Sequence, residues 1–186
     1  LYDQLPNSEN EIIFLGNSIT DMGSWSEIFQ NQNIKNRGIS GDVTEGILYR
    51  ITEITDSNPL KIFLMIGTND LAQGVTKELT FQNICKIVKT IQSQTPKTEI
   101  IVQSLFPVNP IFGNFSGHTG NTEKIIWING NLKDWCKKNE IIFIDVFIHL
   151  KNKMDDFLNP DYSYDGLHLN GDGYKKWADA IQHLVK

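Results

Sequence analysis

The sequence has no apolar run that approaches the ~18 residues a membrane-spanning helix requires. The run at 62–66 stops at Gly67, and that at 141–144 continues only through Asp145 to Phe147 and Ile148. It has two cysteines, Cys85 and Cys136, with no Cys-x-x-Cys pair and no Cys/His cluster. That excludes a disulfide framework and a zinc site of ordinary spacing, so no metal is expected and the two thiols read as buried and free. It has no basic block. Lys and Arg number 17 against 22 Asp and Glu, for a net charge of −5. The positive stripe that a phosphate backbone demands is missing, and nucleic acid is not an expected partner. There is no internal repeat, linker or low-complexity tract. The chain opens on Leu1 rather than Met, as expected of a processed or truncated chain that has lost an export signal.

What is there reads as one globular domain spanning residues 1–186. At 186 residues and 40% hydrophobic content, the chain can bury roughly 70% of its unfolded surface and needs no covalent staple. Short β-branched apolar runs stand at 11–15 (EIIFL), 61–66 (KIFLMI), 99–105 (EIIVQSL) and 140–146 (EIIFIDV), with a weaker one at 33–37 (NIKNR). They are nearly continuous rather than alternating, which is the pattern of parallel strands covered on both faces. Between them lie segments of helical period at 43–56, 77–94, 122–138 and 172–185. Ser24 and Glu27 have capping-box spacing, and Asp42 and Asp172 stand where N-caps are expected. The β-α alternation predicts a right-handed, doubly wound parallel sheet, whose sites form beyond the carboxyl ends of the strands. Residues 107–120 read as a long irregular loop, often a functional feature.

Polar, small-residue turns follow the strands: Gly16-Asn17-Ser18-Ile19-Thr20, Gly38-Ile39-Ser40-Gly41-Asp42 and Gly67-Thr68-Asn69-Asp70. Asp165-Gly166-Leu167-His168 precedes the last helix. Each is a weak signal alone. Together they supply what acyl transfer needs: a nucleophile, a base and donors for a developing oxyanion. Ser18 is the candidate nucleophile. His168 has an imidazole suited to take its proton. Asp165, three residues earlier, can reach the far ring nitrogen and fix the tautomer. The backbone N–H groups of Ser18 and Gly41 and the side-chain amide of Asn69 are the candidate oxyanion donors. Trp25, Phe106, Phe112 and Phe115 are candidates for an aromatic wall around a sugar ring or short acyl group, and His118, in the long loop, for a pocket-lining residue. His149 and His183 read as surface residues, and Asp70 as a structural partner of the Asn69 loop.

The blocks FLGNSIT, NRGISGD, IGTND and DGLHLN, in this order, resemble those of the SGNH hydrolases, the GDSL esterase/lipase family. The likeness runs from about residue 11 to the end. It implies a flavodoxin-like α/β/α sandwich with five parallel strands, hydrolysis of esters or thioesters without metal or cofactor, and Ser18, Gly41, Asn69 and His168 as the family's four residues. It also favours Gly41 over Gly38 as the oxyanion glycine. Trp25 and the Asn36-Arg37-Gly38-Ile39 run are similar to a bacterial branch of acetylhydrolases and sialate O-acetylesterase-like proteins, many of them exported. The resemblance therefore implies a small-molecule ester substrate, chiefly an acetyl ester on a carbohydrate, and a periplasmic or extracellular setting, with a cytoplasmic one left open. A lipase or thioesterase for longer chains, with 107–120 as part of an apolar channel, stays as an alternative. So do a noncatalytic glycan-binding module and, on fold alone, an FMN carrier. The sequence carries no signal of oligomeric state. One departure is Asn17, where the family has Asp. It keeps a carbonyl acceptor and loses a charge.

Overall fold

The four apolar runs and the weaker one at 33–37 become five strands, of which the three central ones are buried along nearly their whole length. The computed structural model describes residues 2–185. Strands β1 (Ile12–Gly16), β2 (Ile34–Gly38), β3 (Lys61–Met65), β4 (Glu99–Gln103) and β5 (Ile142–Ile144) pair in parallel in the order β2-β1-β3-β4-β5. Every residue of β1 is buried. Helices cover both faces, giving the expected flavodoxin-like three-layer sandwich. After β1 come α1 (Ser18–Asp21) and α2 (Trp25–Ile28), and after β2 come α3 (Thr44–Tyr49) and α4 (Ile51–Thr55). β3 leads to α5 (Thr68–Ala72) and α6 (Lys77–Gln94), and β4 to α7 (Ser116–Thr119) and α8 (Thr122–Lys138). α9 (Phe147–Leu150) and α10 (Gly171–Val185) follow β5. The chain reverses its direction of winding between β1 and β3, where the register sets Gly16 beside both Gly38 and Met65. A crevice at the carboxyl ends of these strands is where this fold places ligands.

Several local expectations are corrected. The helix expected over 43–56 is two helices, α3 and α4, meeting at Arg50, which leaves helical geometry (φ −99°, ψ 15°) while its guanidinium reaches back to Asp42. Ser24 precedes α2 but makes no side-chain cap. Asp42 is not the N-cap of α3, which is Val43: its Oδ2 pairs with Arg50 and its Oδ1 accepts the Val43 N–H just before the helix. The first N–H of α3, that of Thr44, goes instead to the buried carboxylate of Asp70. Asp172 lies inside α10, and Asn170 Oδ1 accepts from Gly173 N–H at the helix start. The loop 107–120 is not structureless, since it holds a 3-10 turn (Pro110–Phe112) and α7.

Trp25 and Phe106, expected at the site's wall, belong to the core. Trp25 is 1% exposed and Phe106 2% exposed. Trp25 stacks on Phe14 at 4.4 Å and meets Trp177 edge-on at 4.3 Å, and Phe106 meets Trp177 edge-on at 4.6 Å. Aromatic surface of this size is worth most when withdrawn from water, and edge-to-face contact adds ~0.5–1.5 kcal/mol per pair. Their polar atoms are satisfied inside: Trp25 Nε1 donates to the Thr20 carbonyl at 2.8 Å and Trp177 Nε1 to Gln103 Oε1 at 2.6 Å. This cluster fastens α10 to the sheet and to the segment that follows Ser18. Replacing Trp177 by Ala opens a cavity and orphans Gln103, so a loss of ~3–5 kcal/mol is expected. Equilibrium urea unfolding measures it, and a loss under ~1 kcal/mol would show that the cluster is not what holds α10.

Candidate active site

The turn after β1 carries Ser18 at the first position of α1. Asn17 begins that helix: its Oδ1 accepts the Ile19 N–H at 3.0 Å, and its carbonyl receives the N–H groups of Thr20 and Asp21. Asn and Asp serve equally as N-caps, so the neutral side chain does the work the geometry asks of this position. The other end of α1 is closed by Asn36 of β2, whose Nδ2 faces the carbonyls of Thr20, Asp21 and Gly23 at 2.9–3.0 Å.

The last turn before α10 meets Ser18 from across the chain. Ser18 Oγ lies 3.1 Å from His168 Nε2, and His168 Nδ1 lies 2.7 Å from Asp165 Oδ2. A carboxylate only accepts, so Nδ1 carries the proton and Nε2 presents its lone pair to the serine hydroxyl. Asp165 Oδ1 also accepts the backbone N–H groups of Leu167 (2.9 Å) and His168 (2.7 Å). Burial pushes the Asp165 carboxyl up. The hydrogen bonds from the His168 ring, from these two N–H groups and the His168 charge outweigh burial and hold it below the ordinary value of 3.8. The turn requires Gly166, at φ +84°, where a Cβ would stand 2.1 Å from the Asn109 carbonyl oxygen. Ser163 Oγ accepts the Gly166 N–H and donates to the His168 carbonyl, which locks the turn from below.

The three expected oxyanion donors sit on neighbouring loops. Neither the Ser18 N–H nor the Gly41 N–H has a hydrogen-bond acceptor among the described residues. Gly38, the competing glycine, has its N–H taken by Asn36 Oδ1 at 2.9 Å. Gly41 adopts φ +82° with open space where a Cβ would stand, so the backbone turn, not crowding, calls for glycine there. Asn69 stands in the first turn of α5 and is buried. Its Nδ2 donates to the Asp42 carbonyl at 2.8 Å, joining the β3 loop to the loop of Gly41. That loop is held by Asp42, whose carboxylate takes the Arg50 guanidinium at 2.9 and 3.0 Å. A second Arg50 bond reaches the Arg37 carbonyl at 2.8 Å.

Of the remaining candidates, Phe115 and His118 are at the site. The Phe115 ring stands edge-on to His168 with centroids 5.3 Å apart, and to His118 at 5.7 Å. His118 Nε2 lies 3.0 Å from Asn69 Oδ1. Phe112 is half-buried, with its ring 3.1 Å from where a Gly166 Cβ would be, so it backs the turn of Asp165. The bond between His118 and Asn69 is what sequence reasoning misses, since 49 residues separate the two and nothing local marks the pair. Among the described residues, no group of three or more His, Cys, Asp or Glu is placed to hold a metal ion, and no helix is long and apolar enough to cross a membrane. Cys85 and Cys136 are buried, and burial pushes their thiols up to about 11 and about 12. Such thiols are not nucleophiles at neutral pH.

The family model of GDSL-like lipases/acylhydrolases matches residues 14–176. The chain is 28% identical over 193 residues to human platelet-activating factor acetylhydrolase IB subunit alpha2, covering 96% of this chain and 77% of that protein. A GDSL-like lipase from Bacteroides thetaiotaomicron superposes with a TM-score of 0.85 at 25% identity, over 99% of this chain and 93% of that one. An acetylxylan esterase from Geobacillus stearothermophilus shares the fold, with a TM-score of 0.75 at 15% identity over 96% and 94% of the two chains.

The lowered Asp165 carboxyl has a consequence for stability. A carboxyl held below its unfolded value binds fewer protons in the folded state, so its contribution is present above the unfolded pKa, near ~3.9, and is lost as pH falls through the folded one. Asp165→Asn is therefore expected to be less stable than wild type at pH 5–7 and to converge with it toward pH 2. Urea unfolding across that range tests this, and a stability gap that stays constant with pH would contradict it.

Proposed function

Because the chain belongs to the GDSL-like lipase/acylhydrolase family and is a carboxylic ester hydrolase, we propose that it is a serine esterase releasing short acyl groups, chiefly acetyl, from carbohydrate esters. The observation that carries this reading is the continuous hydrogen-bonded line from Asp165 through His168 to Ser18. The hydroxyl of Ser18 donates to His168 Nε2. As Oγ attacks the ester carbonyl, the proton passes to Nε2, and Asp165 stabilises the imidazolium. The new oxyanion takes hydrogen bonds from the Ser18 and Gly41 N–H groups and from Asn69 Nδ2. His168 then gives its proton to the leaving alcohol oxygen, and the acyl group stays on Ser18. Water enters, yields a proton to Nε2 and attacks the acyl carbon. The acid departs and the proton returns to Ser18.

The acetyl preference is supported by the curated relatives, which carry acetylhydrolase in their names. The carbohydrate preference rests on Phe115, which is 45% exposed and offers an apolar ring beside His168. Ile111, 77% exposed on the same segment, is the feature that favours the other reading, a longer acyl chain.

Hydrolysis of p-nitrophenyl acetate, butyrate and decanoate at pH 7–8 tests the proposal. Acetate is expected to be the best of the three. Ser18→Ala is expected to lower kcat at least ~10⁴-fold, and Asn69→Ala ~10²–10³-fold. Full turnover by Ser18→Ala would overturn the serine mechanism. A preference for decanoate would move the enzyme to lipase or thioesterase chemistry. Release of acetate from acetylated xylo-oligosaccharides, with Phe115→Ala raising KM several-fold, then tests the sugar preference.

A further inference from the structure

An oxyanion donor must point the right way before the charge develops, because turning it during the reaction forfeits most of its value. A backbone N–H is fixed by the chain, but a side-chain amide is not. The last torsion of Asn is broad and roughly two-fold, and its oxygen and nitrogen ends are nearly the same size. In Asn69, one end is fixed by the donation from Nδ2 to the Asp42 carbonyl at 2.8 Å. That bond alone leaves the amide free to turn about a single contact. The other end meets His118 Nε2 at 3.0 Å.

We infer that His118 is a positioning residue of the oxyanion hole, holding the Asn69 amide in the one orientation that aims its second Nδ2 hydrogen at the substrate oxygen. The assignment of atoms is forced. The Asp42 carbonyl only accepts, so it faces Nδ2, and Oδ1 faces His118, whose Nε2 must then carry a hydrogen and donate. Donation into Oδ1 also polarises the amide and makes Nδ2–H a stronger donor. Flipping the amide would set carbonyl against carbonyl at one end and N–H against N–H at the other.

His118 is itself held in place. It lies on α7, which packs against α5, the helix that carries Asn69. Asn121 Nδ2 donates to the Gly117 carbonyl at 2.7 Å, and Thr119 Oγ1 to the Phe115 carbonyl at 3.2 Å. Phe115 enters α7 in left-handed geometry, at φ +50°, and its ring stands nearly perpendicular to those of both histidines. Burial, and then the nearby His168, push the His118 pKa below its ordinary value. A neutral His118 keeps a second positive charge away from His168, which must itself become cationic when Ser18 attacks.

This inference rests on the serine-esterase reading, and the experiment separates the two. Steady-state hydrolysis of p-nitrophenyl acetate is measured for wild type, Ser18→Ala, His118→Ala, His118→Gln, Asn69→Ala and the His118→Ala/Asn69→Ala pair. His118→Ala is expected to lower kcat about 10-fold or more, less than loss of the donor itself, with KM changed less than ~2-fold. His118→Gln, which can still donate, is expected to recover most of the loss. In the Asn69→Ala background, His118→Ala is expected to cost less than ~2-fold, since its target is gone. An undiminished cost in that background would overturn the inference, as would a rise in KM at constant kcat. Wild-type turnover by His118→Ala, with Ser18→Ala inactive, would overturn it while leaving the esterase reading intact. Should His118→Ala fail to fold, His118→Leu fills the space without a donor, and its comparison with His118→Gln decides the same question.

Discussion

The half-buried pairing of Asp42 with Arg50 is the interaction on which the site's geometry depends. Through it the loop after β2 is held in a shape that sends the Gly41 N–H outward and the Asp42 carbonyl toward Asn69. Arg50 binds this carboxylate through two nitrogens and also takes the Arg37 carbonyl. Such a pair is weak evidence for net stability, because desolvation offsets much of the attraction. Its value is directional. Two guanidinium nitrogens on the single oxygen Oδ2 fix orientation as well as distance, and the break between α3 and α4 at Arg50 is what lets it turn back to do so. The same loop is gripped from the opposite side by Asp70, whose buried carboxylate binds Thr44. Burial pushes the Asp70 carboxyl up, and its bonds to Thr44 work against that shift.

Two populations of aromatic residues divide the labour that the sequence left undivided. Trp25, Phe106 and Trp177 are withdrawn from solvent and make the platform on which α1 and α10 meet. Tyr174 extends it, its hydroxyl donating to the Ile19 carbonyl one residue past Ser18 at 2.7 Å. Phe112 and Phe115 remain at the rim, one behind the Asp165 turn and one beside His168. Ser18 and His168 are thus presented by elements that share one apolar support, and the 3.1 Å between them follows from packing beneath the site.

Much of this was legible in the chain because parallel strands buried on both faces leave nearly continuous apolar runs, and strand ends leave small polar turns. The helices over 77–94 and 122–138 begin and end where periodicity places them, since each has a single stripe against the sheet. Ser18, Asn69, Asp165 and His168 could be named because their chemistry is specific to residue type and turn. Features set by distant partners were not legible. The interruption at Arg50 depends on Asp42, the cap of α3 is supplied by Asp70, and the role of His118 depends on Asn69. The burial of Trp25 and Phe106 was illegible for a related reason: an aromatic residue near a strand end suits a core and a binding wall equally, and only the position of Trp177 decides.

The contact between Ser18 and His168 joins residues 150 positions apart, and this bears on the order of events as the chain is made. A ribosome releases the nucleophile early, with the strand that carries it, and the base only after most of the domain has emerged. Closing so wide a loop is among the slower steps a small domain faces. Until α10 docks, Ser18 is an ordinary alcohol with no base to receive its proton. On the proposed mechanism, the nascent chain gains its hydrolytic capacity only when this long-range contact closes.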